Sequence, residues 1–204
     1  MNRLSRRLVL AGLTLTPAAC GSLLPTGGAA PKLYTLTAAA DFPPGGARVS
    51  WQLLVEVPTS TAAFDTERIA LSRGPTTLDY FADAAWTDRA PLMVQALLVQ
   101  SFENSGRIAA VARESLALRA DYMLRPELRH FEADYGAAAA LPEVHIEIGA
   151  RLIRMSDRAI AASRRFDARV KATENSIPAI VDAFNGAFHQ VARQMVEWAL
   201  DAAR

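Results

Sequence analysis

Cysteine, lysine and histidine are all scarce in this chain. One cysteine, Cys20, in 204 residues excludes an intrachain disulfide and any cysteine-rich metal centre. Among 22 basic residues only Lys32 and Lys171 are lysines, a preference for arginine that reflects genome composition rather than function. Against 21 acids these bases leave a formal net charge of +1, which is no footprint for nucleic acid. No apolar run reaches the roughly 20 residues that a membrane-crossing helix takes. Internal repeats are absent too. There is no G-x-S-x-G, no Cys–His pair and no glycine loop built to cradle phosphate, so catalysis has no motif behind it. The carboxylates Asp79 and Asp83 have a spacing that acid–base chemistry could use, but nothing near them in sequence would desolvate them. What remains is substantial. Hydrophobic residues make up 51% and charged residues 21%, enough to build a core and too apolar for disorder.

The N-terminus differs from the rest. Arg3, Arg6 and Arg7 form a positive head, Leu8 to Leu15 a short apolar stretch, and no acid precedes Asp41. Charged head, apolar middle and small residues describe an export signal, expected over residues 1–19. Ala18 and Ala19 before Cys20 resemble a bacterial lipobox, with Pro17 where the pattern prefers leucine. On that resemblance Cys20 is acylated and becomes the new N-terminus; the alternative is a plain secretory signal with a free cysteine. Ser5-Arg6-Arg7 followed by Leu8-Val9-Leu10 also resembles a twin-arginine signal. Two or three acyl chains, each buried methylene worth about 0.8 kcal/mol, would make the anchor effectively permanent. Gly21 and Ser22 lack the aspartate that retains lipoproteins at the inner membrane, which points to the outer one. Gly21 to Pro31 is uncharged and rich in Gly, Ser and Pro, so residues 20–31 read as lipidated cysteine plus flexible tether with a reach below about 40 Å.

Residues 32–204 carry the pattern of a folded domain. Val49, Trp51, Leu53, Val55 and Val57 alternate with polar neighbours, predicting a strand stopped by Pro58 and a buried Trp51. Short strands are expected over Arg68 to Arg73 and Thr77 to Phe81. A helix over Pro91 to Asn104 presents Val94, Leu97, Leu98 and Phe102, with Asp88 or a neighbour as its cap. Arg107 to Val111 forms another strand. Three long ones follow, Asp121 to Asp134, Pro142 to Met155 and Arg158 to Val170, as an antiparallel meander with a tight hairpin at Ser156-Asp157. Pro126 should demote the first of them to an edge or a bulge. Ile177 to Ala203 is a closing helix with Ser176 as cap and an apolar face of Ile177, Ile180, Val181, Phe184, Phe188, Val191 and Met195. The fold class is α+β: a two-layer sandwich with a mostly antiparallel sheet and two main helices packed on one face.

Should the loop from Tyr135 to Leu141 close a hairpin, Glu132 faces His145 and His130 faces Glu147. His and carboxylate suit zinc, but cross-strand charge pairs on a wet face are the plainer reading, and no metal or cofactor is expected. His189 reads as a solvated or rim histidine. Of the aromatic residues that could anchor a partner, Trp51, Trp86 and Trp198 with Tyr34, Tyr80 and Tyr122, Trp86 is the one expected to be exposed.

Several stretches in order resemble the ABC-type transport auxiliary lipoprotein family, including its PqiC-like members of MCE lipid-transport systems. They are Lys32-Leu33-Tyr34-Thr35-Leu36, Arg68-Ile69-Ala70, Leu78-Asp79-Tyr80-Phe81 and Ala85-Trp86-Thr87-Asp88-Arg89-Ala90-Pro91. Ser105-Gly106-Arg107, Asp121-Tyr122-Met123-Leu124 with Glu127, Leu128 and Phe131, Ala183-Phe184-Asn185 and Trp198-Ala199-Leu200 complete the set. The resemblance implies a non-catalytic accessory lipoprotein, anchored to the outer membrane through Cys20 and facing the periplasm. Its implied partners are an ABC transporter complex and an MCE-domain substrate-binding protein, its cargo phospholipid or another hydrophobic compound, and its service outer-membrane integrity. Homo-oligomerisation is open by the same analogy. A lipid carrier with an apolar pocket of several hundred Å³, or an outer-membrane assembly scaffold, would also fit. Replacing Cys20 with serine should release the protein into the soluble periplasm; unchanged membrane fractionation would contradict the anchor.

Overall fold

The computed structural model describes residues 30–113, 119–137 and 140–203. The export signal, Cys20 and the tether up to residue 29 lie outside the described residues. From Pro31 onward the chain forms a single compact unit. Its strands are β1 (Lys32–Tyr34), β2 (Val49–Val55), β3 (Thr59–Ser60), β4 (Arg68–Gly74), β5 (Thr77–Trp86), β6 (Ile108–Arg113), β7 (Tyr122–Asp134), β8 (Glu143–Arg154) and β9 (Ile160–Lys171). Helix α1 (Ala90–Asn104) falls between β5 and β6, and α2 (Ile177–Ala202) closes the chain.

The three long strands form the expected antiparallel meander, β7 against β8 and β8 against β9. Their even-numbered residues on β8, Val144, Ile146, Ile148, Ala150 and Leu152, are buried as the alternation predicts. The short strands join differently. β2, β3 and β4 each pair in parallel with β7, one after another along its other edge. β6 then adds in parallel to β2, β5 antiparallel to β4, and β1 in parallel to β5. The fold is α+β as expected, with a mixed sheet.

β7 is therefore a central strand, not an edge, although it contains Pro126. The backbone explains this. Leu124 accepts a hydrogen bond on its carbonyl from Glu56 N at 3.0 Å, so its polar groups face β2. Pro126, two residues on, faces the same side. There it meets the interval between the last β2 pairing, Val55 with Leu124, and the first β3 pairing, Thr59 with Glu127. No donor is demanded at that point, so proline costs no ladder bond. The irregularity in β7 lies instead between Leu128 and His130, where Arg129 is the extra residue.

α2 packs on β8 and β9, and α1 lies against β6 and also touches α2. Ser176 caps α2 as predicted, its hydroxyl accepting from Ala179 N at 3.4 Å. Asp88 does not cap α1. Arg89 occupies the cap position without a side-chain cap bond, and Asp88 Oδ1 accepts from Arg89 N at 2.7 Å. The β8–β9 turn is longer than a two-residue hairpin. It runs over residues 155–159, with Arg158 in the left-handed region at φ 58° and Asp157 Oδ1 accepting from Ala159 N at 3.1 Å.

Trp86 is buried, at 1% exposure, against the expectation of an exposed loop residue. β5 extends five residues beyond the predicted strand end at Phe81, and that extension carries the indole into the core. Its ring lies 5.1 Å from Phe184 and 5.7 Å from Phe131, which are themselves 5.1 Å apart. Trp86 Nε1 is buried without a hydrogen-bond partner. Such a donor costs about 1–3 kcal/mol, which the burial of so large a ring offsets. Truncating Phe184 to alanine should lower the unfolding free energy by about 3–5 kcal/mol, read by urea denaturation. A change below about 1 kcal/mol would show that these rings are not packed as described.

Candidate functional site

With both helices on one side, the other face of β7–β8–β9 is left uncovered by either helix. Register decides what stands on it. Successive rows across the three strands are Asp134–Glu143–Lys171, Glu132–His145–Arg169 and His130–Glu147–Asp167. Glu127–Gly149–Arg165 and Arg125–Arg151–Ser163 continue the series. Glu132 thus faces His145 and His130 faces Glu147, as the sequence predicts.

The extra residue at Arg129 makes this possible. Before it, Leu124 and Leu128 point into the core; after it, Phe131 and Ala133 do. Without that shift of one residue, strict alternation would turn His130 and Glu132 inward. Gly149, opposite Glu127, leaves room for the Arg129 guanidinium, since a Cβ there would stand 3.2 Å from its Nε. Arg129 in turn reaches Glu127 at 3.0 Å and Glu147 at 3.7 Å.

The centre of the face is a compact polar cluster. Glu132 and His145 are buried, at 6% and 4% exposure, while His130 is half-buried. The two imidazoles stack with centroids 4.2 Å apart and planes inclined by 21°. Glu132 Oε1 lies 2.8 Å from His130 Nδ1 and 3.8 Å from His145 Nδ1, and its Oε2 accepts from Phe131 N at 2.7 Å. His145 Nε2 lies 2.7 Å from Asp167 Oδ2, and Arg169 Nη2 lies 3.0 Å from His145 Nδ1. A carboxylate only accepts and a guanidinium only donates, so His145 carries its proton on Nε2 and offers the Nδ1 lone pair. The cluster borders a groove of about 550 Å³ whose rim includes Thr77, Leu78 and Asp134.

Asp134 closes one end of the cluster. Burial by itself would raise its carboxyl, but hydrogen bonds from Gly136 N and the Ser72 hydroxyl, each 2.8 Å, outweigh it and hold the group below the usual carboxylate range. The hydroxyl of neighbouring Tyr135 is pushed up by burial, and it donates to Asn175 Oδ1 at 2.7 Å.

The other residues singled out in the sequence lie apart from this cluster. Asp79 and Asp83 are exposed on β5. Trp51 is half-buried, edge-on to Tyr122 at 5.3 Å, and Trp198 is half-buried against Phe166 at 5.4 Å. Tyr80 donates to Ala63 O at 3.1 Å beneath the Arg68 guanidinium, and Tyr34 is half-buried on β1. His189, a rim residue on α2, meets Thr37 O and Oγ1 at 3.0 Å each. Asp167 and Arg169 escaped the sequence reading. Counting the register onward into β9 would have found them had the turn length been known.

The family described as ABC-type transport auxiliary lipoprotein component matches residues 34–196. The chain belongs to this family. An uncharacterized protein of Bradyrhizobium diazoefficiens is 32% identical over 178 residues, 85% of this chain and 47% of the relative, so the chain spans about half the length of that relative. A crystal structure of a DUF330 protein from Xanthomonas campestris matches with TM-score 0.79 at 35% identity, over 84% of this chain and 96% of that one. A second crystal structure, of an uncharacterized protein, shares the fold alone: TM-score 0.66 at 13% identity, over 83% and 98% of the two chains.

Asp134 carries a pH prediction. Its folded-state value is lowered, so its contribution is present above about pH 4 and fades as pH falls through the folded value. Asp134→Asn should therefore be less stable than wild type at pH 7, with the gap narrowing below about pH 4. Urea midpoints at pH 7 and pH 3 check this; a gap that stays constant would mean the carboxylate is not stabilised in the fold.

Proposed function

We propose that this auxiliary lipoprotein is a non-catalytic docking subunit of an ABC transport system of the MCE type. It is exported by the signal in residues 1–19, acylated at Cys20 and held at the periplasmic face of the outer membrane by a tether up to residue 31. The domain over residues 32–204 engages an MCE-domain substrate-binding protein and, through it, the ABC transporter. The system moves phospholipid or another hydrophobic compound between the membranes and supports outer-membrane integrity.

The observation that carries this reading over the lipid-carrier alternative is the filled space between helices and sheet. A carrier calls for an apolar void of several hundred Å³ there. Trp86, Phe131, Phe184 and Phe188 occupy that space, each at 1% exposure or less. The 550 Å³ groove on the opposite face has apolar walls at Phe64 and Leu78, but Glu132, Asp134, His130, His145 and Arg169 share its lining and are poor company for acyl chains. The family match supports the transport role, and the membrane address rests on the N-terminal pattern around Cys20.

The segment after β1 suits a tethered subunit. Thr37 N donates to Asn185 Oδ1 on α2 at 2.8 Å, and Ala39 N donates to Ser101 Oγ on α1 at 3.0 Å. Tension on the tether would meet both helices within a few residues of the first strand. Purification of the native protein in gentle detergent, with mass spectrometry of what accompanies it, tests the function. An MCE-domain protein without stoichiometric lipid is the expected result. About one lipid per chain and no protein partner would make the protein a carrier.

A further inference from the structure

We propose that His130, Glu132 and His145 form a binding site for one divalent transition cation, with zinc the ion their donors suit best. Two imidazoles and a carboxylate are a donor set that zinc accepts, leaving a coordination position open. The candidate ligand atoms, His130 Nδ1, Glu132 Oε1 and His145 Nδ1, all lie within 4.8 Å of one another. Donors about 2.0–2.1 Å from a tetrahedral zinc stand roughly 3.3 Å apart. The Glu132 oxygen, at 2.8 Å and 3.8 Å from the two nitrogens, already brackets that spacing. For both imidazoles to meet one ion, the half-buried His130 ring must turn out of its stack with His145, whose plane is inclined to it by 21°.

Three further observations favour a cation here. Glu132 and His145 are both more than nine-tenths buried and border the 550 Å³ groove, so the donors are shielded on the sheet side and reachable from solvent. Asp167 holds His145 Nε2 at 2.7 Å, as an outer carboxylate does when it fixes the tautomer of a ligating histidine and directs Nδ1 to the metal. His130 Nδ1 and Glu132 Oε1, now joined by a 2.8 Å hydrogen bond, would exchange that bond for bonds to the cation. The neighbouring group His145, Glu147 and Asp167 is less suited, because Glu147 faces the guanidinium groups of Arg129 and Arg165 at 3.7 Å each.

Arg169 opposes the ion. Its guanidinium donates to the same Nδ1 lone pair at 3.0 Å and must swing away, which Glu143, 3.6 Å from its Nη1, allows by offering a carboxylate. This competition gives the proposal a signature that chance binding to surface histidines lacks.

The test uses the full chain without a polyhistidine tag, purified in detergent, stripped with chelator and titrated with zinc against a chromophoric competitor. One zinc per chain is expected. Glu132→Gln and His145→Asn should abolish binding, and Asp167→Asn should weaken it by about tenfold or more. His130→Asn, at a half-buried rather than buried position, should also weaken it at least tenfold, roughly the effect of losing one ligand. Arg169→Ala should tighten it. No uptake by the wild type, equal affinity in His130→Asn, or weaker binding in Arg169→Ala would each overturn the site. His130→Asn and Arg169→Ala decide the matter should the buried variants fail to fold.

Discussion

Every layer of this domain depends on β7 having both edges paired. Along one edge β8 runs antiparallel for its full length; along the other β2, β3 and β4 take turns in parallel. Three short strands share this one long edge, and the gap between the first two coincides with a place where β7 has no N–H to pair. Pro126 is that place, since proline lacks a backbone N–H. The chain between β2 and β3 crosses there, and Gln95 of α1 reaches the end of β2, donating from Nε2 to Val55 O at 2.9 Å. A buried glutamine on α1 thus closes a strand end that the sheet itself leaves open.

The same strand also sets what the two faces carry. The extra residue at Arg129 lets the core run unbroken from Leu124 and Leu128 to Phe131 and Ala133 while His130 and Glu132 turn outward. Phe131 then meets Trp86 and Phe184, which ties β7 to the end of β5 and to α2 in one aromatic contact. Beside the helices, Arg107 makes a comparable tie. Its Nη1 lies 2.7 Å from both oxygens of Glu197 on α2, and its guanidinium passes so close to Gly46 that a Cβ would stand 2.9 Å from it. Gly46, at φ 122°, suits glycine on both counts.

What was legible in the sequence was legible through periodicity. β8, β9 and α2 each bury one face against one partner layer, so alternation and the three-and-four spacing survive in their residues and mark both the elements and their inward sides. The pairing of Glu132 with His145 followed from the meander alone. The misreadings share a different cause. Trp86 and Pro126 stand where a strand ends or where one neighbour hands over to the next. At those points the environment is set by chain segments distant in sequence, and no local pattern records it. Asp167 and Arg169 belong with these, because their place beside His145 depends on the turn at residues 155–159 and on the slip between Leu152 and Ile153.

Four polar side chains are buried among the described residues: Gln95, Ser101, Glu132 and His145. The first two serve the fold directly. Gln95 holds Val55, and Ser101 accepts from Ala39 N while donating to Leu97 O at 2.7 Å. Glu132 and His145 serve it less. Glu132 accepts one backbone N–H, from Phe131, and the other polar partners of the pair are His130, Asp167 and Arg169, polar groups on the same open face. Buried ionisable pairs are commonly matched or bettered for stability by apolar residues of similar volume, and β7 and β8 have such residues on their other side in abundance. Stability alone therefore does not call for a carboxylate and two stacked imidazoles at this position. A site that must hold a charged ligand, or a hydrogen-bonded partner, does.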